Sequence, residues 1–180
     1  CPRELLGVGI WWSSEVLSDA HRSGEDSKYR LFQGLDLFPF TVNAFPRSNF
    51  HEEVVKHRVY EPSWSSDSRV DYTRACCAIG ALYAERCGAQ ALSISTVPIG
   101  WPGNADIDDA AGRLREEAED LVSLSQSTDV QITIRLEPEP GCILDTSDDV
   151  ISFFNEHLPD EVHRRHVGIC HDICHAAVML

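Results

Sequence analysis

The chain has 180 residues, with 29 Asp and Glu against 15 Lys and Arg, and a formal net charge of −14. That length supports one domain with a real core, and the acidic balance argues against a nucleic-acid partner, which would need a basic footprint. No apolar run is long enough for a membrane span, and seven cysteines, an odd number, do not make a paired secreted framework, so reduced thiols in the cytoplasm are expected.

The opening residues, CPRELLGVGI, have no signal-peptide layout. From there strand-like and helix-like segments alternate. LLGVGIW (5–11) reads as a strand, with a short helix over 14–19 after it. LFPFTVNAF (37–45) is the second strand, and NAFPRSNFHEEVVKHRVY (43–60) leaves it as a long loop. The segment 66–88 reads as a helix from a Ser/Asp cap to Gly88, with Cys76, Cys77 and Cys87 as core fillers. ALSISTVPI (91–99) is the third strand. The helix over 106–126 puts Ile107, Ala111, Leu114, Ala118, Leu121 and Val122 on one stripe, with acids in its first turns. VQITIRLE (130–137) is the fourth strand. A helix over 145–158, capped by Thr146 or Ser147, buries Val150, Ile151 and Phe154. HVGICHD (166–172) is the fifth strand. No repeat or linker divides the chain, so residues 1–180 read as one domain.

Alternating strands and helices imply a parallel α/β sheet. Residues of alternate parity face opposite sides of a strand. Phe40 and Val42 alternate with Thr41 and Asn43, Leu92 and Ile94 with Ser93 and Ser95, and Ile132, Ile134 and Leu136 with Thr133, Arg135 and Glu137. Each strand therefore has one aliphatic face and one small or polar face. A doubly wound sheet needs apolar residues on both faces, whereas a (β/α)8 barrel is covered by helices on the outside only. The pattern favours the barrel. A whole barrel needs eight units and about 250 residues, so five strands read as the middle of one, incomplete at both ends. A complete five-stranded open sheet is the alternative.

Two of the strands end in clusters of ligating groups: LEPEPG (136–141) and CHDICHAAV (170–178). Glu137 and Asp172 share the inner parity at strand C-terminal ends, where barrel active sites are built. Carboxylates with neighbouring imidazoles suit a divalent metal, Mn, Mg, Co or Zn, that can polarise a sugar carbonyl while a carboxylate moves a proton. His175, one turn beyond Asp172, is placed to bond a substrate oxygen. A purely structural account makes Glu137 a loop acid and Asp172 the cap of a helix starting at Ile173; the shared parity favours the site. CHDICH lacks the tight Cys-x-x-Cys pair of a structural zinc site, and Cys170 reads as a packed thiol. Asn43, His51 and Lys56 in the long loop, with Phe45, Phe50 and Tyr60 as walls, are candidates for substrate contact, as are Trp101, Glu139 and His171. A packed surface loop is the other account of 43–60. No phosphate or dinucleotide glycine motif and no nucleophile elbow is present.

LEPEPG and CHDICHAAVM, preceded by NAFP…FHEEVVK, VYEPSW and STVPIGW, resemble the xylose isomerase-like TIM barrels. Within these they are most similar to the metabolite-traffic proteins of the ebo operon. The resemblance implies that the chain holds strands two to six of eight. It implies that Glu137 and Asp172 ligate the metal, with the remaining ligands outside this chain, and that Glu137 and His175 take part in catalysis. It also implies an isomerase or epimerase acting by proton transfer next to a carbonyl on a small carbohydrate-like metabolite. Self-association into a homo-oligomer is compatible with it. A non-catalytic metabolite-binding protein on the same barrel is the rival reading. An endonuclease, a third branch, conflicts with the charge.

Overall fold

The computed structural model describes residues 6–23, 30, 32–47 and 59–178. Five strands form one sheet: β1 (Leu6–Trp11), β2 (Leu37–Asn43), β3 (Ala91–Thr96), β4 (Gln131–Leu136) and β5 (Val167–Ile169). All pairs are parallel, and the spatial order β1-β2-β3-β4-β5 repeats the chain order. A doubly wound sheet reverses direction at a switch point. Here every crossover steps the same way, as in a barrel.

The helices are α1 (Ser14–Ser23), α2 (Asp67–Arg86), α3 (Ile107–Thr128), α4 (Ser147–His157), α5 (Glu161–His166) and α6 (Ile173–Val178). Of these, α2 packs on β2 and β3, α3 on β4, and α5 on β4 and β5. They cover the aliphatic parity, and Val42, Leu92, Ile94, Ile132, Ile134 and Leu136 are buried there. Capping follows the sequence. Asp106 accepts from the amides of Asp108 and Asp109, both at 3.0 Å, and Thr146 forms a capping box with Asp149.

The opposite parity forms rows across the sheet. Gly9, Thr41, Ser93 and Thr133 make one row, and Trp11, Asn43, Ser95, Arg135 and Gly168 the next. Hydroxyls bridge the first row, with Ser93 Oγ donating to Thr41 Oγ1 at 2.9 Å.

Several expectations are corrected. The fifth strand is shorter than 166–172, spanning Val167–Ile169, and on α4 it is Phe153 that is buried while Ile151 is 56% exposed. Phe40 does not share a face with Val42. The β1–β2 register slips between Val8 and Gly9, where Val8 pairs with Pro39 and Gly9 with Thr41. Pro39 has no amide to donate, the ladder bulges, and Phe40 turns to the side of Gly7 and is 49% exposed. On α3, Ile107 is exposed at the first turn, while Glu117 lies inside at 1% exposure. Arg74 of α2 pairs with Glu117 and also reaches Asp120 at 3.2 Å. Burial still outweighs the guanidinium and pushes Glu117 up to about 7.

Candidate metal centre

The ends of β4 and β5 build the centre. The amide of Glu137 donates to Thr96 O at 3.0 Å, so the ladder runs one residue past β4 and keeps Glu137 on the parity of Arg135. The chain then turns back on itself. Glu139 N donates to Leu144 O at 3.2 Å, and Cys142 N to Glu139 O at 3.0 Å. Gly141 makes this turn possible in two ways. Its φ is +84°, and a Cβ there would lie 2.8 Å from Cη2 of Trp101, which packs over it. Past β5, Cys170 N donates to Leu136 O at 2.8 Å. Asp172 then caps α6, its Oδ1 accepting from Cys174 N at 2.6 Å and His175 N at 3.2 Å. This cap aims His175 back at the β4 turn.

Glu137, Glu139 and His175 meet there, each offering a ligand atom within 4.8 Å of the others. His175 Nδ1 stands 3.5 Å from Glu139 Oε1, and its Nε2 stands 3.7 Å from Asp172 Oδ2. Nδ1 is buried and makes no hydrogen bond. The Tyr60 hydroxyl makes a long hydrogen bond, 3.5 Å, to Glu139 Oε2.

Burial pushes the Glu137 carboxyl above its ordinary range; His175 opposes that shift, and the charge of Asp172 adds to it. Glu139 is raised in the same way, by burial first, with His175 opposing and Glu137 and Asp172 adding. Asp172 is held low by the amides of His175 and Cys174. Tyr60 is pushed up to about 12 by burial and by Glu139. Three carboxylates thus crowd one imidazole, an arrangement that a divalent cation would relieve.

One wall beside the centre is aromatic. Tyr60 lies 5.5 Å from Trp101 and 5.6 Å from Phe45, centroid to centroid. Arg69, fully buried in the first turn of α2, holds this wall to the sheet. Its Nη1 donates to Ala44 O at 2.7 Å and Phe45 O at 2.9 Å, and its Nε to Pro62 O at 2.8 Å. Burial lowers the guanidinium to about 10.

The structure therefore brings Glu137, Glu139, Asp172 and His175 together, with Trp101 adjoining through Tyr60. Asn43 ends β2 on the inner parity, and its Oδ1 accepts from Phe45 N at 2.9 Å. His171 is exposed and faces an open cleft of about 560 Å³ between the start of α4 and α6. His51, Lys56 and Phe50 lie outside the described residues. Sequence reasoning passed over Arg69, whose role depends on carbonyls more than twenty residues away. Glu139, expected as a substrate contact, lies with Glu137 and His175 in the cluster.

No family model matches the chain, and no curated protein matches it. Solved structures do match. The IolI protein with a bound zinc atom aligns with a TM-score of 0.53 at 14% identity, covering 96% of this chain and 55% of that one. A D-tagatose 3-epimerase-like protein aligns at 0.52 and 14%, covering 94% and 57%. The chain shares its fold with part of these TIM barrels. The probable 3-DHS dehydratase AsbF of Bacillus anthracis also carries it, at a TM-score of 0.51 and 11% identity, covering 96% and 54%. The chain spans little more than half the length of these barrels, and likeness at such identity establishes the fold alone. The five in-order strands are an arc of that barrel, and the carboxylate cluster lies at the C-terminal end of β4.

Proposed function

We propose that the protein is a metal-dependent sugar or sugar-phosphate isomerase or epimerase that acts by proton transfer next to a carbonyl. The convergence of Glu137, Glu139 and His175 at the strand ends carries this reading. The donor set fits a divalent ion: two half-buried carboxylates, an imidazole whose buried Nδ1 lacks a hydrogen-bond partner, and Asp172 Oδ2 within 3.7 Å of that ring. Glu137 and Asp172 would hold the metal, completed by ligands outside this chain. When bound it would polarise a carbonyl and lower the cost of taking a proton from the adjacent carbon.

This chain's own residues do the rest. Glu139, whose Oε1 faces His175, would exchange the proton beside Glu137. Tyr60 holds the other oxygen and limits how the carboxyl can turn. His175, fixed through its capped backbone, offers its ring to a substrate oxygen. Trp101, Tyr60 and Phe45 exclude water on one side and give a sugar's C–H face a flat surface. Asn43, His51 and His171 complete the proposed substrate contacts. The partner would be a small carbohydrate-like metabolite, in the cytoplasm. No described helix is long and apolar enough to cross a membrane.

The motif set LEPEPG…CHDICHAAV favours a second reading, a metabolite-binding role like that of the ebo-operon metabolite-traffic protein EboE. The same measurement separates them. Metal content of the purified full-length protein should be about one divalent ion per chain, lost in Glu137→Gln and in Asp172→Asn. A protein that stays metal-free after loading with Mn²⁺ or Zn²⁺ would overturn the enzyme reading and leave the binding role.

A further inference from the structure

Arg135 is the only charged residue in the five strands. It lies on the inner parity, two residues before Glu137, and so about 7 Å along the strand from it. Its side chain is not turned out to the rim. Nε donates to Thr133 Oγ1 at 3.2 Å, which ties the stem to the inner face. The guanidinium then spreads sideways over β5, where Nη1 passes 2.1 Å from the point a Cβ would occupy on Gly168. Gly168 pairs in register with Arg135, and only a residue without a side chain leaves this space.

None of the carboxylates of Glu137, Glu139 and Asp172 lies within 4.0 Å of the Arg135 guanidinium among the described residues. Arg69, Arg115 and Arg164 also lack an acid partner, but each of them donates from Nη to a backbone carbonyl, whereas the Nη groups of Arg135 make no hydrogen bond among the described residues. Charges held off water are retained where they meet a counter-charge. The planar fork of arginine suits one class above others, an oxyanion that accepts two parallel N–H bonds.

We propose that Arg135 is the anion-recognising residue of this site, and that the substrate is an acidic polyol bearing a carboxylate or phosphate group. The oxyanion meets the Arg135 guanidinium while the hydroxyl or carbonyl end meets Glu137, Glu139 and His175. The polyol end of this assignment rests on the function proposed above; the oxyanion end does not.

Calorimetric titration of the full-length protein tests it with three probes: D-fructose, D-fructose 6-phosphate and D-glucuronate. At least one anionic sugar should bind about tenfold more tightly than D-fructose. That preference should vanish in Arg135→Gln at unchanged metal content, and Arg135→Lys, which keeps the charge without the fork, should fall between. Which of the two anions leads distinguishes phosphate from carboxylate. The preference should persist in EDTA, because it belongs to the guanidinium, so a failure of the metal reading would leave it standing. Equal affinity for D-fructose and both anions would overturn the proposal. So would a preference that disappears in EDTA, or one that survives Arg135→Gln. If Arg135→Gln does not fold, Arg135→Lys decides, and a wild-type preference in that variant overturns the role of the fork.

Discussion

Nδ1 of His175 stands 3.5 Å from Oε1 of Glu139, buried and without a hydrogen bond. The two groups face each other at ion-pair range but do not close on one another. On the far side of the carboxylate Tyr60 holds Oε2, and on the far side of the ring Asp172 Oδ2 lies 3.7 Å away. Both groups are therefore fixed from behind, with their free atoms directed at a shared space next to Glu137.

Glu139→Gln keeps the shape of that carboxyl and removes its charge. Metal affinity should fall by about tenfold or more if Oε1 contributes to the ion's surroundings, as outer partners of metal sites commonly do. Competition with a metal-sensitive dye measures it. Affinity unchanged from the wild type would restrict Glu139 to the substrate side.

Asp172 has two roles to separate. Its Oδ1 caps α6 and its Oδ2 faces His175. Asp172→Asn keeps an acceptor for the cap, whereas Asp172→Ala removes it. Both variants should lose metal, but only Asp172→Ala should also show a lower Tm. Equal Tm values for the two would mean that the cap does not hold α6.

Glu117 makes stability depend on pH. Burial raises it from 4.5 to about 7, so the folded state holds the proton more firmly than the unfolded chain. Its contribution is complete below pH 4.5 and is lost as pH rises towards 7, because the unfolded state ionises first. In Glu117→Gln the stability difference between pH 5 and pH 8 should shrink by on the order of 2 kcal/mol. Urea denaturation at the two pH values reads it. A variant whose curve parallels the wild type would mean that Arg74 keeps Glu117 ionised throughout.

Gly141→Ala should disturb the aromatic wall. The φ of +84° strains any residue with a Cβ, by about 1 kcal/mol. That Cβ would also push Trp101 from its place. A shifted tryptophan emission and weaker sugar binding are expected, with metal content unchanged. Unaltered emission would show that the turn relaxes without moving the ring.

The alternation Ile132–Thr133–Ile134–Arg135–Leu136–Glu137 made the face of β4 legible in the sequence, because regular pleating leaves parity intact. The same reading failed at Phe40. One missing amide, that of Pro39, shifts the register, and alternation cannot show where a ladder slips. Glu117 sits on the buried stripe of α3, although hydropathy places an acid outside; its partner Arg74 is 43 residues away on another helix. Glu137 follows β4 directly and its parity could be read from the sequence, whereas Asp172 lies three residues past β5 and caps α6, so its approach to His175 comes from the cap and not from strand parity. Glu139 joins Glu137 through the turn at Gly141, over which Trp101 packs from 40 residues earlier in the chain, a contact no local pattern encodes.

The slip at Pro39 also sets a direction. It lays Phe40 beside Phe38 against Gly7, near the strand starts, at the opposite end of the inner face from Glu137. Ascending from those rings, the surface passes through the hydroxyls of Thr41, Ser93 and Thr133, then the Arg135 guanidinium, then the carboxylates. Polarity thus climbs steadily along this arc from an oily base to an ionic rim.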